Sequence, residues 1–277
     1  MYDAGCSGLY YGFETGSPSI LKVMEKNLEL HHNLDAARWT HDAGIYTCYQ
    51  LVLGMPGESS KTVGETIEMV KQITEFLPEP PYNYLSINYI QALPGTPVYE
   101  YARSTGLIES GIEGEEAYLN QISDINAADD TKFLNFTEYP YLICRSWRPR
   151  LLYEVTMHWY RKGKKRDSRP ERSKLARGYE SGGYFNLHNI VAVNPFLLRL
   201  FYPIRAVPIW GWTFTSEFRR SSFKVFCRRL LELVMWNLQP RRQGLRDYRS
   251  LRIIMKETAP PPENPSQQNM LPLRLGR

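Results

Sequence analysis

The stretch "CSGLYYGFETGSPSILKVMEKN" (residues 6–27) sets the architecture, because it holds a complete strand, turn and helix start in one short run. Leu9, Tyr10, Tyr11 and Phe13 are the apolar and aromatic kind that suits a strand buried on both faces. Ser17 reads as an N-cap and Pro18 as the first helical residue, with Ile20, Leu21 and Met24 as the buried stripe of a short helix. Glu14 therefore stands at the carboxyl end of a strand, the rim at which parallel α/β folds bind ligands. A rim acid can equally cap the next helix or meet a lysine, and on this stretch alone both readings stand.

The pattern repeats downstream. "NLDAARWTHDAG" (33–44) predicts a helix closed by Gly44, and "IYTCYQLVLG" (45–54) a second strand. "MPGESSKTVGETIEMVKQITEFL" (55–77) opens with a Pro-Gly turn, offers Ser59 or Ser60 as N-cap, and sets Val63, Ile67, Val70 and Ile73 at helical spacing. "YNYLSINYI" (82–90) predicts a third strand, and "QALPGTPVYEYARSTGLI" (91–108) a loop entering a helix that stops at Gly106. Alternating strands and helices with short links predict parallel strands joined by right-handed crossovers, hence a Rossmann-like sheet or part of a (β/α) barrel. Each strand ends in a glycine-rich loop, "GFETGS", "LGMPGES" or "LPGTP". Glycine there admits close approach of backbone to a ligand, although turn chemistry alone also calls for it.

These three loops, in this order and spacing, resemble the radical S-adenosylmethionine enzymes, in particular the branch with an N-terminal cobalamin-binding domain. The resemblance covers about residues 3–108, as the fourth, fifth and sixth strand-helix units. It implies an α/β fold forming the C-terminal part of a (β/α)6 partial TIM-type barrel (residues 1–110); beyond it, helical periodicity and charge predict a mainly helical basic extension (111–257), and the proline-rich polar composition a disordered tail (258–277). It implies S-adenosylmethionine beside a [4Fe-4S] cluster on the upper rim, with cobalamin as a further cofactor in that branch. By the same match Glu14 would face the ribose or methionine part, Val52 and Gly54 would pass the adenine side, and Leu93 would flank it.

The family holds its cluster with CxxxCxxC, and this sequence has no such motif. Cys6, Cys48, Cys144 and Cys227 lie far apart, and the first three would sit on separate elements, so they read as buried reduced thiols. The resemblance therefore implies a C-terminal portion whose first three strands, cluster loop and cobalamin domain lie upstream of Met1, with the missing half as a separate chain one expected partner. A barrel cut before its fourth strand would leave that strand's edge and one apolar sheet face uncovered, which favours self-association. The competing class is a non-enzymatic remnant, scaffold or binding module.

The net charge of +5 hides a division: residues 1–144 balance to −13 and residues 145–277 to +18. From Trp147 the sequence predicts an amphipathic helix with Leu151, Leu152, Val155 and Trp159 on its apolar side, leading into the basic run Arg161 to Arg177. The apolar segment 189–214 is interrupted by Pro195, Pro203 and Pro208. Phe223, Phe226, Cys227, Leu230, Leu231, Val234 and Leu238 then form an apolar stripe at helical spacing. This half reads as an extension packed on the barrel, as a membrane-surface element, or, with no recognisable module to support it, as a nucleic-acid contact. His31 and His32, being adjacent, are expected on different faces of a helix, and no HxxxH or HxH spacing suggests a metal site. No run of about 18 apolar residues appears, and the start lacks the features of a signal peptide, so the cytoplasm is the expected location.

Overall fold

A computed structural model describes residues 1–123, 133–162 and 206–238. Three parallel strands, β1 (Gly8–Glu14), β2 (Tyr46–Leu53) and β3 (Leu85–Tyr89), form one sheet in the order β1-β2-β3. The helices are α1 (Pro18–Val23), α2 (Leu30–Asp42), α3 (Ser60–Ile73), α4 (Pro97–Ser104), α5 (Ile112–Ser123), α6 (Tyr141–Arg161), α7 (Ala206–Arg220) and α8 (Phe223–Leu238). The third strand is shorter than its sequence suggests, because Pro81–Asn83 turn as a 3-10 helix before it. The helix ends follow their punctuation. Ser59, rather than Ser60, caps α3 through a mutual bond pair with Thr62, and Gly44 takes the left-handed conformation after α2.

Sequential strands joined by right-handed crossovers place their helices on one side of the sheet. Tyr11 reaches Thr40 of α2 with a 2.9 Å hydroxyl contact, and Val63, Ile67 and Val70 of α3 share a core with Phe13, Tyr49, Leu51 and Leu53. Of the residues that alternate with these on the opposite face, Tyr10, Gly12, Gln50, Val52, Ser86 and Asn88 are exposed or half-buried, while Cys48 is buried. Among the described residues this face is thus mixed, with the amides of Gln50 and Asn88 and the hydroxyls of Tyr10 and Ser86, not wholly apolar as expected from a barrel cut open. Strand β1 has its free edge on the outside of the sheet. A second core lies beneath the strand ends, where Ile20 and Val23 of α1 meet Met55, Ala92, Val98 and Ile108.

Helix α6 departs most from its sequence reading. It begins at Tyr141, not Trp147, and it is buried on nearly every side rather than along one stripe. Trp147, Leu151 and Val155 enter the sheet core, while Arg145 and Arg148 are also buried. Arg145 meets Glu217 of α7 in a buried ion pair, donates to Ser216 at 3.1 Å, and Glu217 also meets Arg229 of α8. Cations of the basic half are therefore partly structural, and Lys162 pairs with Glu75 at 3.0 Å on the surface. Pro149 lies inside this helix. Proline lacks the N–H that would bond the carbonyl four residues earlier. That carbonyl, Arg145 O, instead accepts from the Tyr89 hydroxyl at 2.9 Å, with Cys144 O at 3.2 Å. The last strand is thereby fastened to the helix that covers it.

Two smaller expectations are corrected. The rings of His31 and His32 do not diverge but lie 4.1 Å apart, because both turn back toward Glu29 at the start of α2. Of the four cysteines only Cys48 and Cys144 are buried, whereas Cys227 is exposed because its side of α8 faces outward. The basic run beyond Lys162, His188, the apolar residues 189–205 and the tail 258–277 lie outside the described residues. No helix among the described residues is long and apolar enough to cross a membrane.

Tyr89→Phe removes the donor that satisfies the Arg145 carbonyl while keeping the ring that stacks on Phe133 at 4.0 Å. Leaving a buried acceptor unpaired costs about 1–3 kcal/mol. Urea unfolding monitored by tryptophan fluorescence is expected to show a loss in that range with an unchanged m-value.

Candidate functional site

Gly12, Gln50, Val52, Ser86 and Asn88 lie on one face of the sheet toward the carboxyl ends of the strands, and all are half-buried. Strand β1 bulges between Gly12 and Glu14, and Glu14 adopts a φ of 62°, a left-handed conformation uncommon for a residue with a side chain. The twist turns its carboxylate back over the strand. A Cβ at Gly12 would stand 2.6 Å from Glu14 Oε1 and 3.6 Å from Lys26 Nζ, so glycine at 12 leaves the space in which this acid and base meet. Lys26 donates to Glu14 Oε1 at 3.0 Å, and both groups retain access to solvent. The alternative of an acid that meets a lysine is therefore present in the geometry.

Next to this pair, Gly12 is in register with Gln50, and Val52 with Asn88. Asn88 donates to Ser86 at 3.2 Å along the same face. Val52 supplies a half-buried apolar patch between amide side chains. Leu93, in the loop after β3, is 49% exposed and stands at the rim. The rim thus combines one carboxylate, one ammonium, two amides, a hydroxyl and two aliphatic groups, a set able to hold a polar ligand that also carries a flat or apolar part.

The glycine-rich loops have two different physical causes. A Cβ at Gly16 would lie 2.7 Å from Thr66 Cα and 2.9 Å from Glu65 O, so this glycine is required by close packing of the first loop on α3. Thr66 completes that contact by accepting from Gly16 N–H at 3.0 Å, and Ser17 donates to Glu65 instead of capping its own helix. Gly54 has φ 89° at the end of β2, and its N–H donates to Glu58 at 2.5 Å.

Glu58 is 2% exposed, its Oε2 accepts from Gly54, and its Oε1 lacks a hydrogen-bond partner. Burial pushes its pKa up to about 8, against the opposing effect of the Gly54 and Met55 N–H groups. Cys144 of α6 lies close by, its Sγ 3.9 Å from where a Cβ of Gly54 would be, and burial followed by the charge of Glu58 raises the thiol well above its usual range. A neutral acid and a neutral thiol thus underlie the β2 rim. Burial, then the nearby Lys162, lowers the pKa of His158 on α6, away from the site.

Sequence reasoning singled out Glu14, Val52, Gly54 and Leu93, and the structure sets the first three along the strand ends with Leu93 at the margin. It did not single out Gly12, Lys26, Gln50, Ser86, Asn88 or Glu58. A signal for the open face existed in Gln50 of "YTCYQLVL" and in Ser86 and Asn88 of "LSINY". The Glu14–Lys26 pairing depends on the bulge and has no comparable local signature.

No protein-family profile matches this chain. Over 108 residues it is 27% identical to an uncharacterized methyltransferase of Pyrococcus horikoshii, a similarity covering 39% of this chain and 22% of that protein. The chain thus spans about a fifth of the length of the curated relative it matches.

The protonated state of Glu58 gives the rim a defined pH response. An unfolded chain releases this proton near 4.5, whereas the folded protein holds it until about 8. The folded state therefore binds the extra proton between those values, and the stability Glu58 contributes falls as pH rises from about 4.5 to about 8, then levels. Glu58→Gln is expected to flatten this part of the stability profile, measured as urea midpoints across the interval. An unchanged slope would place the titration elsewhere.

Proposed function

We propose that this chain forms one wall of an S-adenosylmethionine-dependent enzyme with a methylation-type role. On the finer reading it supplies the fourth to sixth strand-helix units of a radical S-adenosylmethionine enzyme of the cobalamin-binding branch. Residues 1–110 would be part of a (β/α)6 partial TIM-type barrel and residues 111–257 its extension, with the remaining strands joining at the free edge of β1 from another segment or chain. The observation that carries the reading is a parallel sheet with one face exposed or half-buried, among the described residues, at Tyr10, Gln50, Val52, Ser86 and Asn88, and ending in three glycine-bearing rims. Such sheets are ordinarily covered on both faces, so an open face favours a ligand or further strands above it. Similarity to a methyltransferase supports the choice of cofactor class.

The residues fit S-adenosylmethionine. The Glu14 carboxylate suits its hydroxyl or amino groups, the amides of Gln50 and Asn88 suit polar ring atoms, and Val52 and Leu93 suit the faces of the adenine, whereas Gly54 is buried and would serve through the turn it allows. When bound, this cofactor supplies an activated alkyl group; the residues of this chain would hold it and exclude water from one side. The described residues do not fit a [4Fe-4S] cluster, since no three His, Cys, Asp or Glu side chains among them come together to hold a metal. Any cluster or cobalamin would be held by residues beyond those described, with no role assigned to Cys6, Cys48 or Cys144 as ligands.

Calorimetric titration of S-adenosylmethionine into the full chain is expected to show weak, saturable binding. Loss of a charge-assisted hydrogen bond costs about 1.5–3 kcal/mol, so Glu14→Gln is expected to weaken binding roughly tenfold or more. Its pair with Lys26 is partly solvated and contributes about 0–1 kcal/mol, so the melting temperature should move little. Absence of binding, or equal affinity in the two proteins, would contradict the assignment of this rim.

A further inference from the structure

The apolar stripe of α8 turns away from the protein instead of into its core. Phe223, Leu231 and Leu238 are 72%, 61% and 73% exposed, and Val234 lies between them on the same side. The opposite side anchors the helix: Leu233 is buried, Arg229 pairs with Glu217, and its guanidinium lies 3.6 Å from the centre of the Tyr141 ring. Anchoring and the outward arc are therefore separate, and the arc is not needed to hold α8 in place. Lys224 and Arg228, one turn apart, are exposed along the border of the arc. Arg219 adds an exposed cation at the end of α7. The single acid on α8 is Glu232.

We propose that the α7–α8 hairpin docks on an anionic lipid surface, with the apolar arc at the boundary of headgroups and acyl chains. Lys224 and Arg228 extend from the edge of the arc, so their stems lie along apolar surface while their charges reach lipid phosphates. Charge complementarity favours this occupant over a second copy of the chain. Residues 206–238 carry five Lys and Arg against two Glu, a balance of +3, so face-to-face pairing of two such hairpins brings Lys224 and Arg228 against like charges, whereas an anionic surface neutralises them. The inference is independent of what the sheet rim binds.

Flotation of the full chain with vesicles of phosphatidylcholine, alone or mixed with phosphatidylglycerol, tests it. The expected result is binding to the mixed vesicles that weakens as salt is added, with little binding to phosphatidylcholine alone. The pair Leu231→Glu and Val234→Glu should lower the bound fraction by at least about fivefold, and the pair Lys224→Gln and Arg228→Gln should lower the partition coefficient roughly tenfold. Both pairs leave the anchoring side intact, so their melting temperatures should match the parent. Absence of vesicle binding, equal binding by the variants, or a dimer dissolved by Leu231→Glu without any lipid binding would each overturn the proposal.

Discussion

One topological constraint governs the molecule: strands in sequential order with right-handed crossovers must carry their connecting helices on the same face. Helices α2 and α3 obey it, and α6 completes the cover over the last strand. The core-side positions of the strands, from Phe13 through Leu51 to Tyr89, point toward that layer. The alternate positions are consequently left to form a second face, and their side chains include the amides of Gln50 and Asn88, the hydroxyls of Tyr10 and Ser86, Gly12, Val52 and the buried thiol of Cys48. A sheet able to bury one face fully and present the other is built by this division of residues.

The rim inherits its shape from contacts underneath it. Gly16 permits the first loop to rest on α3, Glu58 ties the turn after β2 to its own backbone, and Tyr89 holds β3 to α6 through the carbonyl released by Pro149. Each contact uses a polar group that burial makes costly to leave unpaired. The bulge at Gly12 and Glu14 is the exception, since there the backbone takes up an uncommon conformation and a charged pair stays within reach of solvent. Backbone irregularity of this kind, at the end of a strand and beside an open face, is where a ligand site is physically expected.

Much of this was legible in the amino-acid order. The aromatic and aliphatic runs of β1 and β2, the Ser59 cap and the terminating Gly44 and Gly106 all act within a few residues, so local chemistry suffices to find them. The failures came where distant partners decide. Arg145 and Arg148 make α6 read as a surface helix until Glu217 is brought against Arg145, and the ordinary period of α8 cannot tell whether its stripe faces a core or the outside. The site divides along the same line. Glu14 and Gly54 announce themselves by position at strand ends, while Lys26 and the neutral Glu58 gain their roles from a bulge and from burial, neither of which a single sequence displays.

Amide hydrogen exchange of the full chain, with and without saturating S-adenosylmethionine, tests the central claim most directly, because it reports where a ligand rests without any substitution. A ligand on the rim slows exchange in three separate segments, 12–17, 54–58 and 88–93, with the helix layer unchanged. Protection absent from these segments, or confined to α7 and α8, would contradict the claim.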